Sequence, residues 1–568
     1  MSIETGINAE TTASSAMFED LERPDLPFPP LPDNWTSLAS AFVRSARSRS
    51  QKIALVDSTK ASLTYGDALL RAVALGRVIA RTVKDDPYIG VFLPPTVAAA
   101  VANIAITLLG KIPVNLNYTS SKKIVDSSIE QCGIKHVLTS QKILDRAKFE
   151  PAANVVRLEE LAKTVTSADK IFAAVTAKFV PVSLLGAFLP GLRSLSLDSI
   201  ATVIFTSGST GDPKGVVLSQ RNVLSNIHQI DNHIELLPDE VVLGVLPFFH
   251  SFGFTVTLWT VLCLGKKGVY HFNPLDTRIV TELCREHGAN LLVGTPTFVR
   301  NYVHRGDPAA FRTIVHLVLG AEKLRSDSAN EIREAWKIEP LEGYGCTELS
   351  PVVSVNVPHD RPTRDGRSIS GNRPGSVGMP LPGTAIKTVD PDTGVELKRG
   401  DTGLILVKGP QVMTGYLNKP DATAKVIRDG WYSTGDLGRH DSDGFLWITD
   451  RLSRFSKIGG EMVSHLKVES AIMEATGRDE QAVAVTSLPD LKRGERLIVV
   501  HVDLGRTPAE ICRKLGSSDL PKLWIPDSAD FILVDALPIL GTGKLDLRML
   551  REIARERFEP KQDRDESI

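Results

Sequence analysis

Short apolar runs separated by helix-length stretches recur through the first two thirds of the chain, and this alternation constrains the fold more than any other feature. Tyr88–Leu93 reads as a strand, Thr96–Leu109 as an Ala-rich apolar helix, and Lys135–Thr139 as another short strand. The pattern resumes with strands at Asn290–Val293 and Val315–Leu319. Strands that are apolar on both faces need cover on both sides, which calls for a parallel sheet between helices. Two rounds of the pattern predict two doubly wound α/β subdomains. From Gly375 the texture changes to short strands between Gly/Pro turns, Gly403–Lys408 and Phe445–Ile448 among them, as in a small β-barrel or meander.

A charged, polar stretch at Asp450–Lys457 then precedes a tail of mixed character. Gln481–Ser487 and Leu497–Val502 read as strands there, and Val463–Ala475 and Pro508–Leu515 as helices. The organisation expected is an acidic, then proline-rich, disordered leader (1–36), a large α/β domain (37–450) and a smaller, mobile α+β domain (451–568). At 568 residues the chain exceeds what one core serves. The charged stretch from Leu545 onward reads as a solvated surface helix.

Bulk composition narrows the function classes. A formal net charge of −1 provides no global field for nucleic acid. Five cysteines, odd in number and without a CxxC pair, fit a reducing, cytoplasmic setting and argue against structural zinc. The N-terminus has no basic flank with an apolar run, so a signal peptide is not expected. No stretch is long enough to span a bilayer. The nearest, Val180–Leu192, is broken by Pro181 and Pro190. It reads as a buried or loop segment, the alternative being a surface contact with a partner or with the inner face of a membrane.

The chemistry centres on Thr206–Gly215, TSGSTGDPKG. Glycines let backbone approach an anion, and the N–H groups of Thr206, Ser207, Gly208, Ser209 and Thr210, with their hydroxyls, suit phosphate oxygens. Lys214 adds a mobile positive charge. A Walker loop is excluded, because Pro213 and Gly215 stand where that motif needs Gly and Ser or Thr. Flanking strands at Ala201–Phe205 and Val216–Leu218, with a helix only after a Ser219 N-cap, make it a loop between strands.

Four distant motifs also make sense around a nucleotide. In GYGCTE (Gly343–Glu348), Tyr344 offers an aromatic plane for a purine, Thr347 a hydroxyl and Glu348 a hard carboxylate for Mg²⁺. Asp436, in the turn Ser433–Asp436, suits the two hydroxyls of a ribose, and Arg451 suits a phosphate and the ribose. Lys544 sits in a glycine loop, Gly541–Lys544. Taken singly these residues are equally a turn aspartate, a surface arginine and an exposed lysine.

Together, in this order and spacing from Leu38 to Ala554, they resemble the adenylate-forming superfamily of acyl-CoA synthetases, peptide-synthetase adenylation domains and luciferases. Within it the sequence is most similar to the synthetase half of the 2-acylglycerophosphoethanolamine acyltransferase/acyl-ACP synthetases. That likeness rests on Leu246–Phe254, Gly320–Leu324, Leu341–Pro358, Lys408–Tyr416 and Lys457–Ser464.

The resemblance implies residue roles. Thr206–Thr210 and Lys214 would hold the β- and γ-phosphates of ATP. Gly320, Ala321 and Glu322, with Tyr344 and Gly345, would flank adenine. Thr347 and Glu348 would serve Mg²⁺ and the α-phosphate, and Asp436 and Arg451 the ribose. Lys544 would contact the attacking carboxylate and the α-phosphate in the first half-reaction. Rotation of the C-terminal domain would then bring Lys457, Gly459 and Gly460 to a channel for the phosphopantetheine thiol of CoA or acyl-carrier protein. His250 would gate the acyl pocket.

The chain departs from the family pattern at the hinge, with Asp450 and Ser453, and at His465. Amino-acid-activating relatives carry Asp after the aromatic of the Phe-His motif, where this chain has His250. Hence an uncharged, hydrophobic acid is expected, with Phe252–Leu264 and Thr295–Phe298 suggesting a long apolar pocket and a medium- or long-chain fatty acid. Other acids, aryl or amino, and a non-catalytic nucleotide- or acyl-binding homologue are the alternatives. No HxxxxD acyltransferase motif lies near the start.

Overall fold

The structure is a computed structural model that describes residues 28–83, 86–206, 213–362, 367–459, 461–478, 481–490, 492–518, 520–539 and 545–558. Within the segment read as leader, Phe28 and Trp35 set their rings edge-on to His228, and Trp35 is buried. The first long helix, Leu38–Ser48, starts at Ser37, whose hydroxyl accepts the Ser40 N–H in a capping box.

Both doubly wound sheets form. The smaller is a parallel sheet ordered Ile112–Asn115, Tyr88–Val91, His136–Thr139, Asn154–Arg157. The larger has nine strands. Its parallel centre runs His316–Leu319, Leu291–Gly294, Val241–Gly244, Lys267–Tyr270. Pro340–Gly345 joins it in parallel, and the antiparallel Val352–Val355 follows. The central strands are buried along most of their length, as cover on both faces requires.

From residue 385 five strands pair antiparallel around the long strand Trp431–His440, forming the small β-domain. The chain leaves this sheet at the end of Leu446–Arg451 and passes through the short turn Leu452–Arg454. A second five-stranded sheet follows, flanked by the helices His465–Thr476, Pro508–Leu515 and Leu547–Phe558.

Three readings need adjustment. Val180–Leu192, read as a buried or loop segment, forms a 3₁₀ turn, Val182–Ala187, and a short helix, Gly191–Ser194, and is buried only in part. Only Leu185, Leu189 and Gly191 in it are buried, while Val182, Leu184 and Phe188 are exposed. The last helix is not simply solvated, because Leu550 and Ala554 pack into a core with Ala484, Ile498 and Val500. Its polar face had masked an apolar stripe at four-residue spacing. The helix expected from Val463 starts at His465 instead, because Ser464 caps it by accepting the Lys467 N–H.

Just past the turn, Arg454 Nη2 donates to Glu469 Oε2 at 2.6 Å, and both side chains are 8% exposed. Glu469 Oε1 also accepts the Val485 N–H at 2.5 Å. Burial pushes the Glu469 carboxyl up to about 7 despite Arg454. Removing one partner of such a buried pair strands the other charge. We expect Arg454→Ala to destabilise the C-terminal unit by about 3–5 kcal/mol in denaturant unfolding. An unchanged midpoint would show the pair to be dispensable.

Candidate active site

The phosphate-type loop is closed at its base by sheet pairing. Thr206 and Lys214 are direct cross-strand partners in the antiparallel pair Ile200–Thr206/Lys214–Ser219. Ser207, Gly208, Ser209 and Thr210 lie outside the described residues, as do Gly460 and Lys544. A third strand, Gly415–Tyr416, pairs with Val216–Val217 and brings Tyr416 alongside, with Lys214 Nζ 5.3 Å from the centre of its ring. Tyr416 Oη donates to Glu348 Oε1 at 2.9 Å. The loop lysine and the GYGCTE carboxylate thus converge on one tyrosine.

Glu348 stands on the single 3₁₀ turn Thr347–Leu349 that follows the sheet strand Pro340–Gly345. The turn can only form because residue 345 lacks a side chain. A Cβ there would lie 1.9 Å from the Pro351 carbonyl oxygen. Buried Thr347 Oγ1 lies 3.2 Å from Ser251 Oγ, which couples the turn to the Phe-His motif. His250 sits one residue before, its Nδ1 accepting the Phe252 N–H at 3.3 Å. Among the described residues no group of three or more His, Cys, Asp or Glu side chains is placed to hold a metal. Glu348 with Thr347 nonetheless suits Mg²⁺, which takes one or two carboxylates and fills its shell with water and phosphate oxygens.

Asp436 and Arg451 are cross-strand partners in the small β-sheet. Arg451 Nε donates to Asp436 Oδ1 at 2.9 Å, and Tyr344 Oη donates to Asp436 Oδ2 at 2.5 Å. Asp436 is 9% exposed and the Arg451 side chain 56%. The carboxylate is therefore fixed at the cleft wall while the guanidinium reaches into the cleft. Asp436 holds the Arg451 guanidinium charged, and burial with Asp436 beside it pushes the Tyr344 hydroxyl far above its usual range. Tyr344 is thereby a permanent donor, with its position set.

Gly320 and Ala321 follow the strand His316–Leu319 at the carboxyl end of the large sheet, where open α/β folds bind ligands. Ala321 holds a left-handed φ of 69°. Glu322 Oε2 accepts from Thr297 Oγ1 at 2.6 Å, tying this loop to the start of the helix Pro296–Arg305.

Apart from Lys214 and Tyr416, which join it through Glu348, these groups line one cleft of about 3450 Å³ that also includes Leu545, Asp546 and Arg548 from the C-terminal unit. Lys457 lies apart from it, its Nζ 3.2 Å from Asp392 Oδ2, and Gly459 takes a left-handed φ of 57°. Beyond His250 the lining turns apolar, with Ile230, Ile234, Phe252, Val256, Val293 and Val318. Phe252 and Val256 come from a π-helical stretch, Phe252–Trp259, of the kind that concentrates at functional sites. Gly253 permits it, since a Cβ would meet the Pro247 carbonyl oxygen at 2.1 Å.

At the hinge, Asp450 accepts Ser464 Oγ at 2.7 Å, and His465 Nε2 meets Ser456 Oγ at 2.6 Å. Burial drops the His465 imidazole to about 3, so this residue is a neutral hydrogen-bonding group. The Ser453 side chain lies outside the described set. Tyr416 and Glu342 were not singled out from sequence. For Tyr416 the signal was its place at the end of the motif Lys408–Tyr416. For Glu342, a carboxylate inside an apolar strand was the signal.

Glu342 is 7% exposed and accepts the Leu324 N–H at 3.0 Å. Burial raises its carboxyl to about 7. An unfolded glutamate titrates near ~4.3. The folded state therefore holds the proton more tightly, and the stability present at acid pH is lost as pH rises from ~4.3 through about 7. We expect Glu342→Gln to match the parent near pH ~4 and to exceed it by on the order of 3 kcal/mol above pH ~8 in chemical denaturation. A pH-independent difference would refute the assignment.

Comparison with known proteins places the chain in a family. The model of the family described as AMP-binding enzyme matches residues 42–417. A long-chain-fatty-acid–CoA ligase of Salmonella typhimurium is 27% identical over 94% of this chain and 98% of its own length. One from Bacillus subtilis is 32% identical over 62% of this chain and 61% of its own. The crystal structure of ATP-bound MatB from Rhodopseudomonas palustris superposes with a TM-score of 0.75 at 26% identity, over 92% of this chain and 100% of that one. The chain belongs to the AMP-binding enzyme family, the adenylate-forming ligases.

Proposed function

We propose that the protein activates a long-chain fatty acid with ATP to give the acyl-adenylate and pyrophosphate, and then transfers the acyl group to a phosphopantetheine thiol. The observation that carries this reading is the continuity of Glu348, bonded to Tyr416 beside Lys214, and of Tyr344–Asp436–Arg451 with an apolar arm in one cleft. Support for the acid comes from the two relatives named long-chain-fatty-acid–CoA ligases, which also make CoA the first acceptor to test before acyl-carrier protein.

In the first step a carboxylate oxygen attacks the α-phosphorus, a P–O bond to pyrophosphate breaks, and negative charge gathers on the phosphoryl oxygens. The chain's part is positioning and neutralisation. The loop 206–210 and Lys214 hold the outer phosphates, and Asp436 and Arg451 hold the ribose. Gly320–Glu322, Tyr344 and Gly345 enclose the base. Glu348 and Thr347 would hold Mg²⁺, which would supply further positive charge. Lys544, the residue before the cleft-lining Leu545, neutralises charge on the reacting oxygens in this reading. Lys457 lies outside the cleft, paired with Asp392, and takes no part in the first half-reaction in this reading. It serves with Gly459 and Gly460 in the second, and His250 gates the acyl arm between the two.

The primary test is acid-dependent ATP–pyrophosphate exchange across acids of rising chain length and a set of amino acids. Exchange that peaks with a long-chain acid supports the proposal. Absence of exchange with every acid while ATP still binds supports a non-catalytic binder instead. Lys544→Ala is expected to lower exchange by about 10²–10³; a near-normal rate sinks its role. Val256→Trp should cut kcat/KM for the longest acids by about tenfold or more while sparing short ones, because it fills the arm and not the polar cluster. Equal loss at every chain length would place the acyl chain elsewhere.

A further inference from the structure

We propose that the segment Ser167–Ser194 docks the protein onto an anionic lipid bilayer. It begins with the helix Ser167–Lys178 and continues through the 3₁₀ turn Val182–Ala187 to the helix Gly191–Ser194. Its outward side carries Ile171, Val175, Phe179, Val182, Leu184 and Phe188, each between 44% and 76% exposed. Ile171, Val175 and Phe179 follow at four-residue spacing, which puts them on one face. Six large apolar side chains contiguous in one segment form a patch that water-facing surfaces rarely keep without an occupant.

The segment is fastened from behind, so the exposure is built in. Buried Asp169 receives Arg77 Nε at 2.9 Å and Arg81 Nη2 at 2.8 Å. Arg47 Nη2 donates to the carbonyls of Thr176 and Val180 at the end of the helix. Leu185 and Leu189 are buried beneath the turn. With its polar groups satisfied on the inner side, the segment can offer its apolar side to a bilayer without unfolding.

Charge selects the occupant. Between Asp169 and Asp198 the chain has Lys170, Lys178 and Arg193 and no acidic residue. Long basic side chains beside an apolar face keep their charge at the headgroup level while the apolar groups enter, and anionic lipid strengthens the contact. A second copy docked face to face would set these three cations against their own counterparts, which disfavours self-association here. Among the described residues no helix is long and apolar enough to cross a membrane, so the contact is peripheral. The proposal is independent of the ligase reaction.

The test is flotation of the full-length chain with phosphatidylcholine vesicles, with and without phosphatidylglycerol. The parent should float with the phosphatidylglycerol vesicles. Phe179→Asp with Leu184→Asp should weaken that binding by about tenfold or more. Lys170→Glu with Lys178→Glu should abolish the preference for phosphatidylglycerol. Parent-like melting temperature and pyrophosphate exchange of the variants show that folding is intact; should the double aspartate variant not fold, Leu184→Ser replaces it, with the same direction of effect. A parent that floats with neither vesicle overturns the proposal, as do variants that bind like the parent. A concentration-dependent dimer lost in Phe179→Asp/Leu184→Asp, without vesicle binding, would assign the patch to a second copy and equally overturn it.

Discussion

The Asp436 carboxylate is the interaction on which the cleft depends. It receives Tyr344 from the large sheet and Arg451 from its own sheet, so one acidic group joins two sheets at the cleft wall, above the apolar core they share. Charge-assisted hydrogen bonds of this kind are short and directional, and a 9% exposed carboxylate that lost either donor would be left under-satisfied. The small β-domain is thereby held against the carboxyl ends of the parallel strands, where ligands of open α/β sheets are bound.

A similar economy governs the other side of the cleft. Tyr416 belongs to a two-residue strand with little stability of its own, yet it binds Glu348 by hydrogen bond and packs under Lys214. Residues from three sequence-distant stretches are aligned through one phenol. The acidic and basic groups there stay separated by an aromatic ring, so neither is neutralised by direct pairing in the contacts described.

Much of the architecture was legible because burial on two faces writes itself as unbroken apolar runs. Leu291–Gly294 and His316–Leu319 lie within a residue of the strands read from sequence, and Gly403–Lys408 and Pro508–Leu515 coincide with theirs. The motif residues were legible as a set, and the structure brings most of the described ones to one cleft, with Lys214 reaching it through Tyr416 and with Lys457 and Gly459 outside its lining. What stayed hidden were partnerships across long separations. Tyr416 with Glu348 is set by strand pairing to Val216–Val217, and Arg454 with Glu469 by the packing of the C-terminal unit. The exposure of Phe179 and Leu184 was equally invisible, because an apolar run reads the same whether a core or a surface receives it.

The two arginines around the hinge have a mechanical meaning. Arg451 is bound back to Asp436 within the small β-sheet, and Arg454 is bound forward to Glu469 within the C-terminal unit. Each is anchored to a different body, and only Leu452 and Ser453 lie between them. Two residues span roughly 7 Å at full extension, so any swing of one body against the other is confined to a pivot of four backbone torsions. The Ser464–Asp450 hydrogen bond bridges that pivot, and a swing that separates the two bodies at this point has to break it first. In a domain rotation of the kind the family resemblance implies, this bond would serve as a detent, a small barrier holding the C-terminal unit in its present setting.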